Sequence, residues 1–191
     1  MASRPIATTR MVTGIPTGRL AVWWVVASEI VIFGGLLVAY IMHRLARPEW
    51  ADHAAHTNTW AGAFNTLVLL TSSLSAVLGH HAAEQGDGKK AARYLWMTML
   101  GGVTFIVVKA FEWSHEIALG YTITANGFWS FYYTAAGLHG LHVIGGVVIM
   151  GIISLDCLKN RELHRVELIG IYWHFVDLVW IFLFPLLYIA K

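Results

Sequence analysis

The sequence predicts an all-α, polytopic membrane protein with five transmembrane helices in one bundle. Hydrophobic residues make up 57% of the 191 residues and charged residues only 13%, whereas a soluble domain carries roughly 25% charged residues. The apolar residues fall into five runs, each close to the about 20 residues that a spanning helix needs. Nine tryptophans are typical of a chain that crosses two lipid–water interfaces.

The predicted spans follow one another with short polar connections. Ser28 and Glu29 alone interrupt the first run, and the second run is rich in hydroxyl side chains. The chain therefore divides into a cytoplasmic tail, residues 1–19, and one transmembrane domain, residues 20–191. The spans are predicted at about residues 20–42, 60–78, 94–111, 128–155 and 168–189.

The basic residues predict the orientation. Five spans place nine lysines and arginines on the side of the N-terminus and three on the other side. Because cytoplasmic loops carry the excess of positive charge, the N-terminus is expected inside and the C-terminus outside. The nine are Arg4, Arg10, Arg19, Lys89, Lys90, Arg93, Lys159, Arg161 and Arg165, and the three are Arg44, Arg47 and Lys191.

Five ionisable side chains are predicted to share one depth in the inner half of the membrane. They are Glu29, His139, His142, His174 and Asp177. A rise of 1.5 Å per residue places them roughly 9–14 Å from the inner face. Residues three apart lie on one helix face, so a hydrogen-bonded network that joins the five is expected. Such groups are rare in membranes and indicate a functional site by default.

The residues alone leave several interpretations of this network open. Buried polar groups often only fix the register of packed helices. Paired histidines could instead ligate a b-type haem, with Gly137, Gly140, Gly145 and Gly146 as small residues around it. A metal site from three histidines and two acids is a third interpretation, although no Glu-x-x-His repeat is present. Glu29 could also carry protons.

The remaining features narrow the function classes. Lys109 and Glu112, three residues apart, are predicted to form an ion pair at the membrane interface. A net charge of +2 is too small to indicate a nucleic-acid partner. The single cysteine excludes both a disulfide within the chain and a cysteine metal cluster.

Four motifs occur in order along the chain: ASEIVIF at 27–33, FNTLVLLTSS at 64–73, GLHGLHVIGG at 137–146 and YWHFVDLVW at 172–180. They resemble subunit III of the haem–copper respiratory oxidases, the accessory subunit of cytochrome c and quinol oxidases, and the KAFEW run at 109–113 is similar to the bacterial form. The resemblance implies the five-helix form of the family. It also implies a multi-pass protein of the bacterial plasma membrane that takes part in aerobic respiratory electron transport and proton translocation.

The resemblance implies a chain that is not catalytic alone and binds no cofactor. Haem and copper are expected in subunits I and II, with direct packing on subunit I, smaller subunits in the same complex and a respiratory supercomplex around it. Glu29 matches the family's mid-membrane carboxylate, which is implied to support proton uptake and the stability of the catalytic site. Bound phospholipid is implied as well. Where the family has a phosphate-binding arginine, this sequence reads Leu155-Asp156-Cys157, so Lys159 and Arg161 become the candidate headgroup contacts.

Three other functions compete with the oxidase subunit. A similar subunit accompanies nitric oxide reductase and shares the motifs. An independent proton-coupled carrier predicts an inverted repeat with broken helices, which the sequence lacks. A haem-binding electron-transfer subunit predicts a visible haem absorption band in the isolated chain.

Overall fold

The computed structural model describes Gly14 and residues 16–190, and this part of the chain is folded into helices. Most of the predicted cytoplasmic tail and Lys191 lie outside the described residues. The elements are α1 (Thr17–Ala46), α2 (Trp50–Ala55), α3 (Thr59–Glu84), α4 (Gly88–Ala118), α5 (Gly127–Leu158), α6 (Arg165–Phe184) and a π-helical turn (Pro185–Ile189).

Five of these helices are long and apolar enough to cross a membrane, which confirms the predicted five-helix, all-α class. They are α1, α3, α4, α5 and the continuous segment Arg165–Ile189. They contain 25–32 residues, so they are roughly 38–48 Å long at 1.5 Å per residue. The hydrocarbon core is only about 30 Å thick, and each helix therefore extends into the headgroup layers beyond the apolar run that the sequence marks.

Short polar side chains fix where three of the helices begin. Asn58, Asp87 and Asn126 each accept a hydrogen bond from the backbone N–H three residues later, at the starts of α3, α4 and α5. These bonds satisfy N–H groups that the helix itself leaves free. Gly86 and Gly120 follow the ends of α3 and α4 with φ values of 78° and 89°, a conformation that glycine adopts without strain.

Helices α3 to α6 form a four-helix bundle, and α1 lies against its outside. Helix α3 packs along α4 and α6, and α5 packs between α4 and α6. Helix α1 contacts mainly α6 and buries only Val26, Phe33 and Tyr40. These three are seven residues apart, so α1 meets the bundle along a single narrow stripe.

The Trp173 side chain fills the centre of the bundle. Its indole N–H donates to the Ser72 hydroxyl over 3.0 Å, which joins α6 to α3. A Cβ atom on Gly102 or Gly146 would lie within 2.8 Å or 2.9 Å of the indole ring, so only glycine allows α4 and α5 to approach this closely. The small residues of α5 thus face protein side chains, in keeping with close helix packing.

Candidate functional site

Glu29 and His142 meet across the boundary between α1 and α5. Glu29 Oε2 lies 3.1 Å from His142 Nε2, although the two atoms are not aligned as a regular hydrogen bond. The other ring nitrogen, Nδ1, is 2.8 Å from the Leu138 carbonyl oxygen. Because a carbonyl oxygen only accepts, Nδ1 must carry a hydrogen. Nε2 is therefore the ring nitrogen that faces the Glu29 carboxyl group.

The surroundings of His142 hold this pair in place. The Tyr172 hydroxyl donates to the His142 carbonyl oxygen over 3.1 Å. The Phe33 ring of α1 meets the His142 ring edge to face at 5.3 Å between centroids. Both side chains of the Glu29–His142 pair are mostly buried, so neither solvent nor lipid reaches them freely in the described chain.

His174 lies on a different surface, beside α3. Its Nδ1 is 2.5 Å from the Ser73 hydroxyl oxygen, and the histidine side chain is exposed at the outside of the bundle. Asp177, one turn later, also lies beside Ser73 but is only 4% exposed. Neither carboxylate oxygen of Asp177 has a hydrogen-bond partner in the described chain.

His139 is packed as an aromatic side chain. It is fully buried, stacked on the Trp180 ring at 5.1 Å and in edge contact with the Phe105 ring at 5.2 Å. Neither ring nitrogen has a hydrogen-bond partner among the described residues. Its contacts suit a side chain that fixes helix packing.

The five residues that the sequence placed at one depth thus lie in three separate places. Two residues three apart on an α-helix point about 60° away from each other around the axis. That angle turns His139 towards the bundle centre and His142 towards α1. It also turns Asp177 inward and leaves His174 outside. Only Glu29 and His142 pair with each other.

Lys109 and Glu112 lie together inside the other end of the bundle, where the chain ends. Lys109 Nζ is 3.0 Å from Glu112 Oε2, and the residues are only 4% and 7% exposed. The ammonium group also donates to the hydroxyl oxygens of Tyr132 and Tyr188, over 3.0 Å and 2.5 Å. The structure therefore buries this predicted pair among side chains of the bundle, and Glu112 also lines an open pocket of about 310 Å³.

The cluster contains three partners that the sequence pattern did not predict: Glu116, Tyr132 and Tyr188. The Tyr132 hydroxyl is 3.0 Å from Glu112 Oε1 and 3.1 Å from Glu116 Oε1. Glu116 is four residues after Glu112 and seven after Lys109, so it lies on the same helix face, and this spacing could have revealed it. The Lys109 ammonium group is thus the cation beside two buried carboxylates, those of Glu112 and Glu116. Tyrosine hydroxyls provide the remaining hydrogen bonds.

Lys159 and Arg161 are exposed in the loop between α5 and α6. Neither has a carboxylate partner within the described chain, whereas nearby Arg165 lies 3.0 Å from Asp156. Beside the loop, an apolar groove of about 470 Å³ separates α1 from α5 and α6, with Val25 and Ile152 among its walls. Across the described residues, no group of three or more His, Cys, Asp and Glu side chains could hold a metal ion.

Comparisons with known proteins agree with the sequence motifs. The family model for cytochrome c oxidase subunit III matches residues 7–191. A cytochrome c oxidase subunit 3 from Thermostichus vulcanus is 35% identical over 85% of this chain and 82% of its own length. A probable cytochrome c oxidase subunit 3 from Mycobacterium leprae is 33% identical over 89% and 85%. A heme-copper oxidase subunit I+III from Aeropyrum pernix is 29% identical, and the match covers 90% of this chain but 22% of that protein.

Replacing Lys109 by methionine should destabilise the bundle strongly. The change leaves two buried carboxylates without their cation, and breaking a buried ion pair in this way costs about 3–5 kcal/mol. The double variant Lys109→Met/Glu112→Gln should lose less, because it also removes one of the unpaired charges. The free energy of unfolding can be measured by titrating mixed detergent micelles with SDS and following helicity by circular dichroism.

Lys89→Met provides the matched control, because Lys89 is exposed and surface substitutions usually change stability by less than about 0.5 kcal/mol. Equal losses for Lys109→Met and Lys89→Met would show that the buried ion pair contributes nothing to stability.

Proposed function

We propose, since the chain belongs to the cytochrome c oxidase subunit III family, that it packs directly on catalytic subunit I of the oxidase. Family membership makes it a multi-pass membrane protein and a part of an oxidoreductase complex. The Aeropyrum pernix relative supports the specific partner, because its name joins subunits I and III in one protein. The comparisons support neither a nitric oxide reductase partner nor an independent carrier.

Within the complex, the chain is proposed to be an accessory subunit that is not catalytic alone and binds no redox centre. Haem and copper belong to subunits I and II in this proposal, and smaller subunits complete the assembly. The proposed location is a bacterial plasma membrane. The N-terminus is placed inside, because the lysines and arginines of the connecting loops concentrate on that side.

The Glu29–His142 pair supports a proposed role in proton uptake. The Leu138 carbonyl fixes the hydrogen on Nδ1, so the proton exchanged with Glu29 sits on the Nε2 side. Moving that proton within the pair never leaves an isolated charge in the membrane, which would be costly. The pair can therefore hold a proton at an intermediate depth and support proton delivery to subunit I. His139, His174 and Asp177 are proposed to be structural neighbours.

A bound phospholipid is proposed at the groove between α1, α5 and α6. The groove is apolar enough for an acyl chain, and Arg165 at its edge is already paired with Asp156. Lys159 and Arg161 in the adjacent loop have no carboxylate partner in the described chain, so they are free to contact a lipid phosphate. Anionic headgroups are attracted to such basic residues at the cytoplasmic surface.

The partner assignment can be tested by purifying the tagged chain from its native membranes in mild detergent. Subunits I and II should co-purify with it, together with the haem absorption of the oxidase. Digitonin-solubilised membranes also allow a supercomplex to be identified by size. Co-purification of nitric oxide reductase subunits, or of no oxidase subunit at all, would refute the proposal.

Glu29→Gln tests the proton role in the assembled oxidase. The glutamine amide keeps the size and can still bond to His142, so assembly and helix packing should be retained. It cannot carry a proton, so proton uptake at high turnover should slow and inactivation during turnover should become severalfold faster. Glu49→Gln, at an exposed loop position, is the matched control. If turnover, proton pumping and durability all equal those of the wild type, Glu29 is structural only.

Replacing Lys159 and Arg161 by glutamine tests the lipid proposal. The double variant should retain less anionic phospholipid per oxidase after detergent purification, because two headgroup contacts worth about 1 kcal/mol each are lost. Lipid phosphorus analysis and mass spectrometry measure the change. The matched control is Lys89→Gln/Lys90→Gln, which removes the same charge at the α3–α4 turn. An equal lipid content in both variants argues against a specific site.

A further inference from the structure

One exposed face of the bundle carries polar side chains where hydrocarbon is expected. We call it the α3/α6 face, and it consists of the outward residues of the two helices around Ser73 and His174. His174 is nine residues into a 25-residue spanning segment, so it lies roughly 14 Å along the helix, within the depth of the hydrocarbon core. The apolar members of the face are Leu70, Leu74, Val77, Leu178, Ile181 and Phe182.

The hydrogen bonds within this face are incomplete. The bond to Ser73 uses Nδ1 of His174, and Nε2 has no partner in the described chain. Asp177 lies behind the same serine, and its two carboxylate oxygens also lack partners. Hydrocarbon cannot satisfy these groups, because it contains no donor or acceptor.

The free nitrogen of His174 decides what is missing. Each ring nitrogen of a histidine is a hydrogen-bond donor or acceptor in either tautomer. Because Ser73 uses Nδ1, Nε2 needs a polar partner from outside the chain.

The opposite face of the bundle has no such requirement. A shallow groove of about 200 Å³ between α4 and α5 is lined only by glycine, valine and isoleucine. Val103 and Val148 are exposed there to an extent similar to Leu178 on the α3/α6 face. Lipid tails can cover this second surface without leaving any polar group unpaired.

We propose that the α3/α6 face docks on a transmembrane helix of catalytic subunit I, and that this helix presents a polar side chain that hydrogen-bonds His174 Nε2. Ionisable side chains within a membrane almost always face protein or a water-filled cavity, which selects this face over the apolar one. The proposal rests on the proposed place of the chain in the oxidase.

Site-specific photo-crosslinking in the assembled oxidase tests the choice of face. The photoreactive residue p-benzoylphenylalanine is placed at Leu178 or Leu74 on the α3/α6 face, and at Val148 or Val103 as controls of similar depth and exposure. Leu178 and Leu74 should give adducts with subunit I, roughly tenfold more abundant than those from the control positions. Adducts from the controls that match or exceed these would overturn the proposal, as would adducts from Leu178 with lipid or a second copy only.

The same experiment distinguishes a wrong choice of face from a wrong assignment to the oxidase. If subunit I co-purifies but crosslinks only from α4 and α5, the face is wrong and the oxidase assignment stands. If subunit I neither co-purifies nor crosslinks from any position, the oxidase assignment itself fails.

A pair of substitutions tests the hydrogen bond. His174→Phe should reduce the fraction of the chain that stays with subunit I through detergent purification, by roughly tenfold for a lost hydrogen bond that leaves its partner unpaired. His174→Gln retains a side-chain hydrogen-bond donor and acceptor and should keep most of the association. The amount of each variant in membranes before solubilisation serves as the reference. A lipid-covered face predicts the opposite order, because phenylalanine is compatible with hydrocarbon, and equal or better retention of His174→Phe would overturn the proposal.

Discussion

Lipid hydrocarbon offers no hydrogen-bond partner, and this constrains the polar groups of the membrane-spanning helices. Isolated hydroxyl groups are satisfied within their own helix: Ser28, Thr71 and Thr104 each donate to a backbone carbonyl three or four residues earlier. Some indole N–H groups are satisfied across helices, as with Trp173 and Ser72. A polar side chain without a partner in its own helix bonds to a neighbouring helix, because lipid hydrocarbon offers no partner. These bonds hold the helices of the bundle together.

The two ends of the bundle meet this constraint differently. Beside the π-helical turn, the buried Lys109 ammonium group donates hydrogen bonds to Glu112, Tyr132 and Tyr188, all within the described chain. At the other end, the Glu29–His142 pair lies beside a lightly packed helix, and His174 is exposed with one nitrogen unpaired. Polar groups that are hydrogen-bonded to one another stabilise the fold, whereas polar groups without partners at a surface are available to bind another subunit. The interactions with the rest of the oxidase are therefore expected in the half of the bundle that holds Glu29 and His174.

The spans and the level of each polar side chain along them could be predicted from the sequence. The direction in which each side chain points around its helix axis could not. The five spans follow from runs of apolar residues, and the rise per residue placed Glu29 and His142 at one level, where they meet. Their shared depth did not reveal that His139 turns inward onto Trp180, since that depends on which helices are neighbours. Tyrosines near a span end suggest an interface belt, and Tyr188 instead bonds to Lys109. Only tertiary packing distinguishes these two roles.

The packing of α1 explains how a proton could move at Glu29 without disturbing the assembly. Towards the start of α1, Arg19 forms an ion pair with Glu167. Towards its end, the Tyr40 hydroxyl donates to the Leu186 carbonyl oxygen and the Arg44 guanidinium group donates to that of Ala190. Both ends of α1 are thus fixed to the segment that begins with α6, independently of Glu29. Since Glu29 lies between these attachments, the proposed proton exchange with His142 would not require α1 to move.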